Sequence, residues 1–505
     1  REFLMVSRRA LLGRTALALA ASRFLSPVTA IAVQPQPYAD GDPFMLGVAS
    51  GDPRPDGFVL WTRPLGLSGT ATVGVEIADD DGFRRIVRSG SVTASPARGH
   101  AVHVEPVDLD PARTYFYRFH LDGATSPIGR TATIDPQATR MRLALAACQH
   151  WEHGWFSAYR DMVAQEINVL LHVGDYIYEK SFGTGPDVRS FGAPDPFTLD
   201  EYRVRHALYR TDPDLQAATA AFPIIATWDD HEVENDYASL QGSVTEDPAA
   251  FVARRAAAYQ AWFEHMPISP RRLTPHGAAD IVRRFEWGAL ASLSVLDCRQ
   301  FRTSQPCGRG GQVIADCAEV FDPVATMLGL EQEAWLRNRL ANERTRWSLI
   351  GQATMVSRLP LPGGGDARWS DIWDGYAASR DRLIAALRQP AVRNAVLLGG
   401  DVHSFWANDI PSDPERMEGP VVASEIVTSC LASRSGPEEL FTGIQGRNPQ
   451  VRFHDNDNAG YTLLDIDAER IDGRFRAVRD LTDPNSASFD LRRFAIEDRA
   501  PGVRI

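Results

Sequence analysis

The sequence predicts an α/β protein, with packed mixed sheets flanked by helices and a small β-sandwich ahead of them. Three observations predict it. Short alternating or β-branched runs with turn residues between them recur every ~10–12 residues from Asp42 to Thr133, the spacing of a sandwich. From Met141 onward the strands become almost continuously apolar, as strands buried on both faces do. Helical stretches lie between these apolar strands, the order of a βαβ unit.

The elements follow in chain order. Ser7-Arg8-Arg9 precedes a short apolar run, Thr15 to Ala21, and then small residues at Val28-Thr29-Ala30. That is the layout of a secretory leader of the twin-arginine kind, read here as residues 1–32. Its apolar run is far shorter than the ~20 residues that span a bilayer, and no later stretch reads as a membrane anchor. Export by the twin-arginine machinery to a periplasm or the medium is therefore expected, as a folded protein.

Residues 40–135 are read as a fibronectin- or immunoglobulin-like sandwich on the runs "TATVGVEIA", "RIVRSGSVTA", "HAVHVEPVD" and "TYFYRFHLDG". Residues 140–500 are read as the catalytic domain. Its strands are "MRLALAACQ", "INVLLHVGD", "FPIIATWDD", "ASLSVLD", "WSLIGQAT" and "NAVLLGGDVH". Helices are predicted at 154–165, 248–266 and 330–342, the second opened by Asp247 as N-cap with Pro248 behind it.

The net charge of -12 and pI of about 5.5 exclude nucleic-acid or anionic-membrane binding through bulk charge. Five cysteines in an exported chain leave at least one unpaired or bound to metal. Cys307 and Cys317, ten apart in a Gly-rich loop, suit a local disulfide. Cys148 closes a strand and is read as a ligand.

Four strand ends carry metal-binding residue types: Cys148 in "AACQH", Asp175 and Tyr178 in "GDYIYE", Asp229-Asp230-His231 in "WDDHEVEND", and Asp401 with His403 in "GGDVH". Ligands of α/β sheets gather beyond the carboxyl ends of strands. One such Asp is ordinarily a cap or turn former; four in one domain predict a metal centre.

The pattern "GDxxY … (N/D)HE … GxxH" resembles that of purple acid phosphatases and the wider calcineurin-like metallophosphoesterases. Longer stretches, "SGDPRPDGFVLWTRP", "HVGDYIYE", "TWDDHEVEND", "LDCRQFRTSQPC", "GLEQEAWL", "WDGY" and "GGDVHSFW", resemble the PhoD-type alkaline phosphatases in particular, from about Phe44 to past Tyr461. The resemblance implies a calcineurin-like core, hydrolysis of phosphate monoesters and diesters by metal-activated hydroxide, and iron with calcium as cofactors.

Ligand chemistry agrees. Asp175 can offer one oxygen to each of two ions. The thiolate of Cys148 and phenolate of Tyr178, with His403, suit Fe(3+). Asp230 and Asp401 are oxygen donors that favour Ca(2+) over zinc. Asn235 is a further oxygen candidate, and Asp229 is either a ligand or a partner that orients one. His231 is expected to protonate the leaving group. Arg299 is expected to clamp the phosphate, with Arg302 as its alternative. Trp151, Trp155 and Phe405 are candidate walls of a substrate cleft.

A monomer is expected. Three other readings compete: a catalytically silent exported binding module, a phospholipase D-like diesterase, and an iron oxidase. The complete ligand set argues against the first, and the carboxylate-rich second site against the last.

Overall fold

All six predicted core strands form: Met141–Ala146, Val169–His172, Ile224–Ala226, Ala291–Val295, Trp347–Gly351 and Ala395–Gly399. The structure, a computed structural model, describes residues 41–183, 187–274, 279–360, 367–436 and 443–505. The leader read at residues 1–32 lies outside the described residues.

The first three core strands are parallel neighbours in a ten-stranded sheet, with Val169 opposite Leu143 and Leu170 opposite Ile224. The other three are parallel neighbours in a seven-stranded sheet, with Ala291 opposite Trp347 and Ser348 opposite Ala395. Antiparallel strands complete both, so each sheet is mixed.

The two sheets pack face to face. Leu143, Leu145 and Leu171 of the first share one core cluster with Leu293, Leu349 and Leu398 of the second. Each such buried side chain contributes roughly 1.5–3 kcal/mol. Helices cover the outer faces: Leu336, Leu340, Leu383 and Ile384 of helices Leu330–Ala341 and Ala377–Leu387 pack on Ile350 and Leu397. Helix Pro248–His265 starts where Asp247 predicts, its carboxylate accepting the Ala249 N–H at 3.0 Å.

The N-terminal sandwich has one layer of its own, a five-stranded sheet built on Ala71–Ala78, Ile86–Ala94 and Thr114–Leu121. Val73, Ile77, Tyr117 and Phe119 of that sheet pack on Phe58, Leu60 and Val102. The latter three lie on strands of the ten-stranded sheet, joined to it where Gly51 pairs with Ile224. The sandwich therefore shares its second layer with the core.

At the other end of the chain, Ser488–Glu497 and Ala500–Arg504 extend the same sheet, and the Val503 N–H is held by Asp409 Oδ1 at 2.7 Å. Cys307 and Cys317 form the expected disulfide; Cys148, Cys298 and Cys430 are free and buried.

Candidate metal centre and active site

The predicted strand ends converge. Asp175, Asp230, His231, Asp401 and His403 line one cleft of about 410 Å³, and Cys148 lies beneath it. The chain turns sharply after each apolar strand, and four of these residues have left-handed backbones: Cys148 (φ 57°), Asp175 (φ 54°), Asp401 (φ 69°) and His403 (φ 52°). Non-glycine residues held there cost of order 1–3 kcal/mol each and cluster at functional sites. Gly174, at φ 121°, is obligatory, because a Cβ would fall 2.6 Å from the Cβ of Asp229.

Two ligand clusters share the cleft. In the inner one, donor atoms of Cys148, Asp175 and His403 lie within 4.8 Å of one another. Tyr178 joins it, its hydroxyl 2.9 Å from Asp175 Oδ2 and 2.9 Å from His403 Nε2. His403 Nδ1 donates to the Arg434 carbonyl at 2.7 Å, which leaves Nε2 to the centre. In the outer cluster, donor atoms of Asp230, Asp236 and Asp371 likewise lie within 4.8 Å of one another. Asp175, Asp230 and His231 form a third group between them. Asp401 lines the cleft, its Oδ2 accepting the Thr354 hydroxyl at 2.5 Å, but belongs to none of these groups.

These residues fit metal ions. Asp230 Oδ1 and Asp229 Oδ2 are buried oxygens with no hydrogen-bond partner, and a buried acceptor without a partner is costly. Five aspartates (175, 230, 236, 371 and 401) line the cleft, against one arginine, Arg434, among the described residues. Burial, then Asp230 and Asp229, push the Asp175 carboxyl well above the carboxylate range despite His231. Burial and neighbouring aspartates raise Asp236 and Asp401 each to about 7, against the pull of Arg299. Such crowding of carboxylates is what cations relieve.

His231 is held as a donor. Its Nδ1 lies 2.7 Å from Glu179 Oε2, and a carboxylate can only accept, so Nδ1 carries the proton. Glu179 Oε1 accepts the Asn235 N–H at 2.9 Å. Burial opposes the imidazolium, but Glu179, Asp230 and Asp175 outweigh it and raise His231 well above its ordinary range.

Arg299 is a correction. Its side chain is fully buried and does not line the cleft. Nε donates to Asp229 Oδ1, and Nη1 lies 2.8 Å from Asp371 Oδ2. Its guanidinium is enclosed by the carboxylates of Asp229, Asp230 and Asp371 and lies outside the cleft lining, so it is not placed to clamp a phosphate there. Arg302 is likewise buried against Asp371, at 2.7 Å. The arginine at the cleft is Arg434, carried by a loop with no motif of its own.

Asp229 is bonded to Arg299 through Oδ1 and does not line the cleft, while its Oδ2 is buried without a partner. Asn235 lines the cleft but turns its amide to Asp236 Oδ2 at 2.6 Å. The apolar wall is Phe182, Trp369, Ile372 and Val402, not Trp151, Trp155 and Phe405. Trp151 and Phe405 are core residues, and Trp155 lies under the Arg189 guanidinium at 4.7 Å. Sequence reasoning also missed Glu179, Asp236 and Asp371. The first two sit inside quoted motifs, "GDYIYE" and "HEVEND"; Asp371 carries no local signal.

A two-sheet α/β core with this strand-end cleft defines a metallophosphoesterase. The family model for the PhoD-like phosphatase matches residues 143–475, and that for the PhoD-like phosphatase N-terminal domain matches residues 29–135. Alkaline phosphatase D of Bacillus subtilis (strain 168) is 38% identical over 496 residues, which cover 94% of this chain and 85% of that protein. The solved structure of PhoD matches with a TM-score of 0.86 at 37% identity, covering 92% of each chain. A purple acid phosphatase from yellow lupin (Lupinus luteus) shares the fold, at a TM-score of 0.55 and 13% identity over 89% of this chain and 74% of that one.

The chain belongs to the PhoD-like phosphatase family, and it is a phosphoric ester hydrolase.

Proposed function

We propose that the protein is an exported hydrolase of phosphate monoesters and diesters that works with iron and calcium. The observation that supports this best is the charge of the cleft: five aspartates line a site whose substrate is an anion, which is coherent only if cations stand between them.

Cys148, Tyr178, Asp175 and His403 would hold Fe(3+), for which thiolate and phenolate donors are suited. Asp175, Asp230 and Asp401 would hold Ca(2+), and the all-oxygen set of Asp230, Asp236 and Asp371 a further one. When bound, such ions polarise a phosphoryl oxygen and acidify water. The rest is the work of side chains. Glu179 fixes the imidazole of His231 through Nδ1, leaving Nε2 to give a proton to the departing oxygen. Arg434 offers its guanidinium at the cleft wall, and Phe182, Trp369 and Ile372 give an apolar surface for the alcohol portion of the ester.

Export follows from the leader read at residues 1–32. Among the described residues no helix is long and apolar enough to cross a membrane.

The test is elemental analysis of the purified protein together with hydrolysis of p-nitrophenyl phosphate and its bis-ester, with and without calcium. About one iron per chain and calcium-dependent turnover are expected. Zinc or manganese alone, with activity indifferent to calcium, would overturn the metal assignment.

A further inference from the structure

The outer carboxylate cluster is assembled by the loop that the Cys307–Cys317 disulfide closes. That bond joins positions ten apart, with Cα atoms 6.2 Å from each other. Two residues before it, Gln305 Nε2 donates both to the Asp236 carbonyl at 2.7 Å and to Asp371 Oδ1 at 2.8 Å. One amide thus ties together two of the three outer aspartates.

Inside the loop the ties continue. Gly311 packs so closely against Asp236 that a Cβ would lie 3.0 Å from Oδ1 and 3.1 Å from Oδ2, and its backbone N–H hydrogen-bonds that carboxylate. Gln312 and Ser370 bond twice: the Ser370 N–H to the Gln312 carbonyl at 2.9 Å, and the Gln312 N–H to Ser370 Oγ at 2.9 Å. Ser370 immediately precedes Asp371, and its hydroxyl also reaches the Gly310 carbonyl at 3.3 Å. Val313–Ile314 then pairs antiparallel with Arg368–Trp369.

The loop is Gly-rich, carries only a two-residue strand, and Cys307 is exposed. Apart from the disulfide it is held by single hydrogen bonds, such as the Cys307 N–H to Glu319 Oε2 at 2.8 Å and Arg309 Nη2 to the Thr245 carbonyl at 2.8 Å. An open loop of this composition samples many conformations, and a cross-link removes most of them.

We propose that the Cys307–Cys317 disulfide is a positioning element for the outer cation site: it holds Asp236 and Asp371 at the geometry that binds a divalent cation such as calcium, and so makes outer-site affinity depend on the oxidised state of this pair. The inference rests on the reading of Asp230, Asp236 and Asp371 as a cation site. Partners that orient metal ligands typically carry ~10–100-fold in affinity. The inner cluster of Cys148, Asp175, Tyr178 and His403 has no bond to this loop among the described residues, so its metal is expected to stay.

The experiment compares the native protein with the double variant Cys307→Ser/Cys317→Ser and with Ser370→Ala. Ser370→Ala keeps the disulfide but removes the two bonds that Ser370 Oγ makes to the loop, to the Gln312 N–H and the Gly310 carbonyl, and so loosens its hold beside Asp371. It covers the case in which the double variant fails to fold. Calcium binding is measured by calorimetric titration, and inner-site metal by elemental analysis of the same samples. Expected is calcium binding at least ~10-fold weaker in both variants, with inner metal per chain unchanged. Equal calcium affinity in all three proteins overturns the inference alone. Loss of inner metal together with calcium overturns it as well, because the loop would then act on the whole fold. A native protein that binds no calcium overturns the reading of the outer site and the inference with it.

Discussion

Glu179 and His231 form a buried pair in which one carboxylate oxygen holds the imidazole Nδ1 at 2.7 Å while the other is anchored by the Asn235 N–H at 2.9 Å. The pair is directional: it fixes the ring and leaves Nε2 as the only nitrogen that can serve the substrate. Glu179→Gln keeps the shape but loses the charge that favours imidazolium. Turnover of alkyl phosphates is expected to fall ~10²-fold, and that of p-nitrophenyl phosphate by much less, because its leaving group needs little protonation. Equal losses on both substrates would argue that Glu179 serves only packing.

Asp175 stands between the inner cluster and Asp230. Asp175→Asn removes a charge that both proposed cation sites share. Activity and bound metal are expected to disappear together, the latter read by elemental analysis. Near-normal turnover with full metal content would remove Asp175 from its bridging position.

Arg299 provides a contrast. Arg299→Met leaves Asp229 buried without its guanidinium partner and Asp371 with Arg302 alone, and breaking a buried pair of this kind costs about 3–5 kcal/mol. The expected signature is a lower melting temperature and weaker metal retention, with KM for the phosphate ester little changed in whatever activity remains. A raised KM at unchanged stability and metal content would restore the role of phosphate clamp.

His206, on helix Leu199–Tyr209, is buried, and neither ring nitrogen has a hydrogen-bond partner. Burial, and then Arg63 and Arg205, depress its pKa from 6.5 to about 3. Between those values the unfolded chain binds the proton and the folded chain does not. Stability is therefore lost as pH falls below about 6.5, by roughly 2 kcal/mol at pH 5 from this group alone. His206→Phe is expected to flatten the fall of melting temperature between pH 7 and pH 5; an unchanged slope would show that His206 takes up its proton in the folded state.

Much of this site was legible because each candidate ligand follows a strand whose apolar run is itself legible. Cys148, Asp175, Asp230 and His403 follow "LALAA", "VLLHVG", "PIIATW" and "AVLLGG", and any fold that makes those strands parallel neighbours gathers their ends. Burial was not legible. Arg299 looks like a phosphate ligand until Asp229 and Asp371, 70 residues before and 72 after, are seen to close around it. Asp371 is a site residue only because a disulfide-closed loop lies against it, and no periodicity reports that. The same limit explains the cleft walls: tryptophans near a motif are as easily core, as Trp151 is.

The ten-stranded sheet sets an order of events for the whole molecule. The strand that leads into Cys148 lies between Val169–His172 on one side and Gly460–Ile466 on the other, with Leu145 opposite Thr462. Its last neighbour is therefore synthesised some three hundred residues after it. Until that segment leaves the ribosome, the strand has an open edge and Cys148 lacks its full support. The strand pairs around Cys148 are accordingly completed only late in synthesis, and if the inner cluster holds a metal as proposed, a ribosome stalled before residue 460 is expected to display a chain that retains it poorly.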